Sequence, residues 1–286
     1  QRVAFMNKSF GDAFVIDLKT RVIRCLTCNV PGAAFLRVMH LANGDYLLIG
    51  PERFKDIRTS RREDNELWYL AAKPGSKPVR LGQKMSEGAA VSKASMQIVY
   101  AETSEQNPKI AKGESRMTIA EIDPRGPSLT NKKVVYRSPD EKCTVEPQDL
   151  YAGDTKLTFS CYEPGDRASV MSIDLYTMEV INHSQAPGTY NEPEGIFPGG
   201  DYTLVEADRQ VATLGGKPGS GNIDIWKLRL DGTGKDFVRL THFNDYEGGK
   251  ASNPVVSTDG RFMVFQSART TDEAGVGYGL LLYRFE

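Results

Sequence analysis

The sequence predicts an all-β protein, a β-propeller built of four-stranded antiparallel blades. Three observations carry this. Apolar residues alternate with period two through short runs such as Ile223-Asp-Ile-Trp226 and Phe262-Met-Val-Phe265. Asn-Gly and Asp-Gly steps at Asn43-Gly44, Asp231-Gly232 and Asp259-Gly260 mark tight turns between such runs. The whole pattern recurs roughly every 45–60 residues, the length of a four-stranded blade with some long loops. Six blades in a single domain over residues 1–286 is the reading, and five blades plus an accessory sheet is the alternative.

The copies run in order. The first lacks an opening strand and has strands at 3–6, 13–17 and 22–26. The second has 35–39, 46–49, 66–70 and 79–81, and the third 89–91, 97–100, 117–121 and 134–136. The fourth has 149–151, 157–160, 170–174 and 180–182. The fifth begins at Glu194 and ends at Leu240, and the last closes on 279–283 with no fourth strand. Trp68 and Trp226 fall at one repeat position, as do Arg80 and Arg239. Incomplete blades at both ends predict that the N-terminal segment completes the last blade, leaving no open sheet edge.

The sharpest copy is the stretch 222–265. Its Asp231-Gly-Thr-Gly234, Arg239-Leu-Thr241, Asn253-Pro254 and Ser257-Thr-Asp-Gly260 before Phe262-Met-Val-Phe265 resemble a blade of the TolB-type propeller, a relative of the WD-repeat fold. The resemblance covers the whole chain and is sharp only in the last third. It implies the fold and, in the TolB family, a channel mouth that receives a peptide or protein partner.

Composition sets outer bounds. The 286 residues carry a net charge of −1, which speaks against a dedicated nucleic-acid surface. No run of 18 apolar residues offers a membrane span. The chain begins at Gln1 with neither an initiator Met nor a signal peptide, so a leader was removed or the chain was trimmed. Of the four cysteines, Cys143 and Cys161 are predicted to pair at one end of a blade, with Cys25 and Cys28 as the second pair. Four free thiols is the alternative. Sequons at Asn7-Lys-Ser9 and Asn182-His-Ser184 fit a secreted glycoprotein. An extracytoplasmic location, secreted or periplasmic, is the expectation.

Function enters through the loops and the innermost strands. The loops joining second to third strands (51–65, 103–115, 210–221 and 270–278) are long, and those on the opposite face are tight, so one face is elaborated for binding. Aligning the copies puts Glu87, Glu146 and Glu192 at one repeat position, with Arg37, Gln148, Glu194 and Asn253 two residues on. These should converge near the channel mouth, joined by Glu247. Close carboxylates raise one another's pKa and suit general-acid work, or they chelate a hard cation such as calcium, or they line a solvated channel. Glu206 stands where other copies have Ile49, Tyr100, Phe159 and Phe265, which predicts a pairing, with an arginine as the structural partner.

Arg37, Arg53, Arg209 and Arg269 with Tyr190, Tyr246 and Tyr278 have the chemistry of a sugar or uronate site. Arginine would fork onto a carboxylate, rings would stack on the pyranose, and paired acids would cleave the bond. Glu192 and Glu194, with Glu146, are the candidate catalytic pair and helper. Arg37, Tyr190, Arg209, Tyr246, Glu247, Asn253 and Arg269 are the candidate substrate contacts. Asn191-Glu-Pro-Glu-Gly-Ile-Phe197 and Leu240-Thr-His-Phe-Asn-Asp-Tyr-Glu247 are similar to segments of secreted proteins grouped with saponin hydrolases, which implies removal of a sugar, often a glucuronate, from a triterpenoid. The scattered His40, His183 and His242 form no metal triad, unlike the His-rich site of TolB-like pectate-degrading lyases. The leading expectation is a glycoside hydrolase acting on a glycoside or glucuronide. The alternative is a non-catalytic module binding a protein or glycan.

Overall fold

The computed structural model describes residues 2–7, 10–50, 65–86, 88–138, 143–187, 189–272 and 275–285. They form six antiparallel sheets, three in each of two compact units, Gln1–Pro139 and Asp140–Glu286. The sheets are the blades of an all-β propeller fold.

In the first unit, β1 (Arg2–Asn7), β2 (Asp12–Asp17) and β3 (Ile23–Cys25) make a three-stranded sheet. Next come β4 (Arg37–His40), β5 (Tyr46–Gly50), β6 (Glu66–Leu70) and β7 (Val79–Lys84), then β8 (Ala89–Val91), β9 (Gln97–Thr103), β10 (Ser115–Asp123) and β11 (Ser128–Ser138). In the second unit, one sheet is β12 (Thr144–Tyr151), β13 (Lys156–Glu163), β14 (Arg167–Asp174) and β15 (Val180–Asn182). The next is β16 (Asn191–Ile196), β17 (Tyr202–Ala207), β18 (Asp224–Arg229) and β19 (Phe237–Arg239). The last is β20 (Gly249–Val256), β21 (Phe262–Arg269) and β22 (Tyr278–Arg284). A short helix, α1 (Val211–Leu214), interrupts the long loop after β17.

The repeat reading holds at the level of side chains. Trp68 pairs with Arg80 and Trp226 with Arg239, and each arginine reaches an acid two residues before its tryptophan, Glu66 at 3.2 Å and Asp224 at 2.5 Å. The first sheet lacks its opening strand, as expected. Thr27 accepts the N–H of Ala13 and donates to Asp12, as Thr241 does with Ile225 and Asp224, so β2 and β3 occupy third- and fourth-strand positions. One expectation is corrected. Among the described residues β1 pairs with β2 and is counted in the first sheet, and the last sheet has three strands, β20, β21 and β22.

Both predicted disulfides are present, Cys25–Cys28 and Cys143–Cys161. The strands β5, β9, β13 and β17 are buried on both faces. Leu47, Ile49, Leu67, Ile98 and Tyr100 anchor one core of the first unit, and Leu204, Ile225, Met263 and Phe265 one of the second. Among the described residues, no helix is long and apolar enough to cross a membrane.

Candidate functional site

The second unit gathers an acidic cluster from β12, β16 and β17 beside its first strands β12, β16 and β20, which lie side by side. Each of these strands carries a β-bulge at the same level against its neighbour. The register slips between Pro147 and Asp149, between Pro193 and Gly195, and between Ser252 and Val255. Proline explains the break, since it has no N–H to give the ladder and is tolerated in sheets at bulges. The extra residues are Gln148, Glu194 and, in the third bulge, Asn253 with Pro254. A bulge re-aims side chains out of the strict alternation, which brings neighbouring polar groups to one place. Asn253 adopts φ 52°, a left-handed conformation that asparagine tolerates better than most residues. Gly195 lets β16 and β20 approach closely, because a Cβ there would stand 3.2 Å from the backbone nitrogen of Val256 on β20.

Glu192 lies opposite Glu206 across β16 and β17, and oxygens of Glu192, Glu194 and Glu206 all lie within 4.8 Å of one another. Glu192 and Glu206 are each 6 % exposed, and Glu194 is half-buried. Donors converge on them. The Tyr162 hydroxyl reaches Glu146 at 3.0 Å and also Glu192, whose other oxygen accepts from the Tyr190 hydroxyl. Gln148 Nε2 lies 3.4 Å from Glu192 and from Ser160 Oγ. Glu206 accepts the backbone N–H of Asn253, whose side-chain oxygen accepts from Gln266 at 2.5 Å. Burial first, and then the neighbouring carboxylates, push both the Tyr162 and Tyr190 hydroxyls well above their ordinary pKa, so both stay protonated as donors.

Beneath the cluster, buried Asp208 accepts the N–H of Tyr190 at 3.0 Å and of Gly219 at 2.7 Å, which fixes Tyr190 and ties down the loop 210–221. Burial raises the pKa of Asp208 against those two hydrogen bonds.

Not every candidate joins this cluster. Glu146, Tyr190, Glu192, Glu194 and Asn253 are brought together. Arg209 turns away and lies 4.3 Å over the ring of Phe237 on β19. Tyr246 (76 % exposed) and Glu247 sit on the exposed turn before β20, and Arg269 stacks over Tyr278 at 5.8 Å. Backbone bonds from Gly249 to Tyr246 and from Thr270 to Gly248 join these residues into one rim of the last blade. Arg37 is on β4 in the first unit, in unbroken register opposite Ile49. Leu48 and Val205 both pair with the repeat's tryptophan, so Arg37 occupies the position of Glu192 and not, as the sequence alignment has it, that of Glu194. The same register puts Glu206 level with Ile49, Ser160 and Gln266, and corrects its alignment with Phe159 and Phe265. Arg53 and Glu87, and Lys8 and Ser9 of the first sequon, lie outside the described residues.

Sequence reasoning missed Tyr162, Ser160 and Gln266. The available signal was the repeated Glu146-Pro-Gln148 and Glu192-Pro-Glu194, whose prolines forecast the bulges. Among the described residues, two groups have the ligand types for a metal. Asp12, Cys25 and Cys28 are excluded by the disulfide, whereas Glu192, Glu194 and Glu206 offer oxygens of the kind a hard cation takes.

No family model and no curated protein sequence matches the chain. Solved structures do. A putative TolB from Agrobacterium tumefaciens superposes with a TM-score of 0.63 at 15% identity, over 90% of this chain and 77% of that one. TolB from Acinetobacter baumannii gives 0.53 at 14% identity, over 96% of this chain and 62% of that one. The tricorn protease gives 0.59 at 15% identity, over 93% of this chain but only 23% of the protease. At such identities the likeness speaks to fold alone, and the fold is that of a TolB-type β-propeller.

Proposed function

We propose that this propeller is a non-catalytic binding module of the TolB-like kind, working outside the cytoplasm and receiving a protein partner at the rim of its second unit. One observation carries the reading. Both oxygens of Glu192 are engaged by protein donors, Tyr162 and Gln148 on one and Tyr190 on the other, in a residue more than nine-tenths buried. A carboxylate so tied serves to hold two neighbouring blades together. It is poorly placed to meet a glycosidic oxygen. The exposed Tyr246, Arg269 and Tyr278 supply aromatic and guanidinium contacts of the kind enriched in protein interfaces. Two disulfides favour an oxidising compartment.

Hydrolysis of a glycoside or glucuronide is the second reading. It is favoured by half-buried Glu194, close to Glu192 and within reach of a ligand. A mass-spectrometric screen against glycosides, uronides and saponins separates the two. The binding reading expects no released sugar, and a selected peptide ligand lost on Tyr246→Ala, Arg269→Ala and Tyr278→Ala together. Sugar released by the parent and not by Glu194→Gln overturns it. Calcium is the cation Glu192, Glu194 and Glu206 would take, and it should raise the melting temperature relative to chelator.

A further inference from the structure

Two motifs are absorbed by neither reading, the turn Asp231-Gly-Thr-Gly234 and the tripeptide Asn182-His-Ser184, and in the second unit they meet. The N–H of Gly232 donates to Nδ1 of His183 at 3.1 Å, and Ser172 Oγ lies 2.7 Å from Nε2. A ring nitrogen that accepts an N–H carries no proton, so neutral His183 holds its proton on Nε2 and donates it to Ser172. The turn is seated by shape as well. A Cβ on Gly232 would stand 3.1 Å from Ile181 Cγ2, and one on Gly234, at φ 65°, only 2.6 Å from the Ser184 carbonyl oxygen. His183 itself is 2 % exposed.

We propose that His183 is an acid-released latch, which holds the turn between β18 and β19 against β15 while neutral and releases it when protonated. Protonation places a hydrogen on Nδ1, so that ring and Gly232 N–H confront each other as two donors. The surrounding groups set the poise. Burial pushes the ring down to about 4, Asp231 on the turn opposes this, and Lys156 on β13 adds to it. Asp231 accepts from the N–H and hydroxyl of Thr233. A histidine whose folded pKa lies below its unfolded 6.5 contributes stability that is complete above pH 6.5 and is lost as pH falls toward 4.

Imidazole NMR on the intact protein tests this. The expected result is an Nε2–H tautomer, a midpoint near 4, and Gly232 amide exchange, corrected for its intrinsic rate, that quickens between pH 6 and 4. His183→Asn keeps an acceptor near Nδ1 and does not titrate. Relative to it, the parent's folding equilibrium should fall on the order of 100-fold between pH 7 and 4. A midpoint near 6.5, an Nδ1–H tautomer, or an indifferent Gly232 amide overturns the latch. These three readouts need only the parent, so a poorly folding variant leaves the test intact.

Discussion

The two units use one repeat to opposite ends at their first strands. In the first unit, β4 and β8 keep unbroken register with their neighbours, and the position facing Arg37 is Ile49, fully buried in apolar company. In the second unit, β12, β16 and β20 are all bulged, and the position equivalent to Ile49 is Glu206. A regular ladder enforces alternation, so it builds core. A bulge suspends alternation for one step, and polar groups from three strands can then face one another and be satisfied. The difference lies in backbone register before it lies in composition.

The sharpest way to break this comparison is to exchange its two diagnostic residues. Ile49→Glu places a charge in an apolar core and should cost more than about 4 kcal/mol in urea unfolding, enough to prevent the first unit from folding. Glu206→Ile relieves crowding with Glu192 and Glu194 but leaves the Asn253 N–H without that acceptor. It should cost no more than about 2 kcal/mol. Equal costs would mean that the bulges do not set the tolerance of the site.

Disulfide removal comes next. Cys143→Ser with Cys161→Ser opens a link across a separation of 18 residues, and Cys25→Ser with Cys28→Ser one of 3. Chain entropy predicts losses of about 3 and about 2 kcal/mol, read as a larger fall in melting temperature for the first pair. Two buried tyrosines then give a finer test. Tyr190→Phe removes a donor from Glu192 and should cost about 2 kcal/mol. Among the described residues the Tyr46 hydroxyl has no hydrogen-bond partner, so Tyr46→Phe should be close to neutral. The smallest effect is expected at the third bulge. Asn253→Ala should lose about 1 kcal/mol at its positive φ, and Asn253→Gly should lose less.

Much of the fold was legible because period-two runs and Asp-Gly turns are local signals. The Trp68–Arg80 and Trp226–Arg239 pairs, the missing first strand of the first blade and the Cys143–Cys161 link follow from repeat position, and Cys25–Cys28 from its C-x-x-C spacing. The site was half legible. Glu146 and Glu192 aligned correctly, but Glu206 was aligned with Phe159 and Phe265 because register depends on the partner strand, and a bulge shifts it by one without leaving a gap in the sequence. Tyr162 reaches Glu192 from another blade, a relation no alignment of copies contains. Arg209 looked like a site residue by position, yet its long side chain found the Phe237 ring instead.

The Cys143–Cys161 link bears on how this protein should be made. Thr144 and Val145, at the start of β12, pair with Tyr162 and Cys161, so the sulfur bridge clamps the backbone beside the hydroxyl that serves both Glu146 and Glu192. Material produced in a reducing cytosol should therefore keep its sheets and its far-ultraviolet spectrum while the acidic cluster loosens. Two preparations of identical sequence would then behave as different proteins in any ligand assay, and a thiol count should precede the first one.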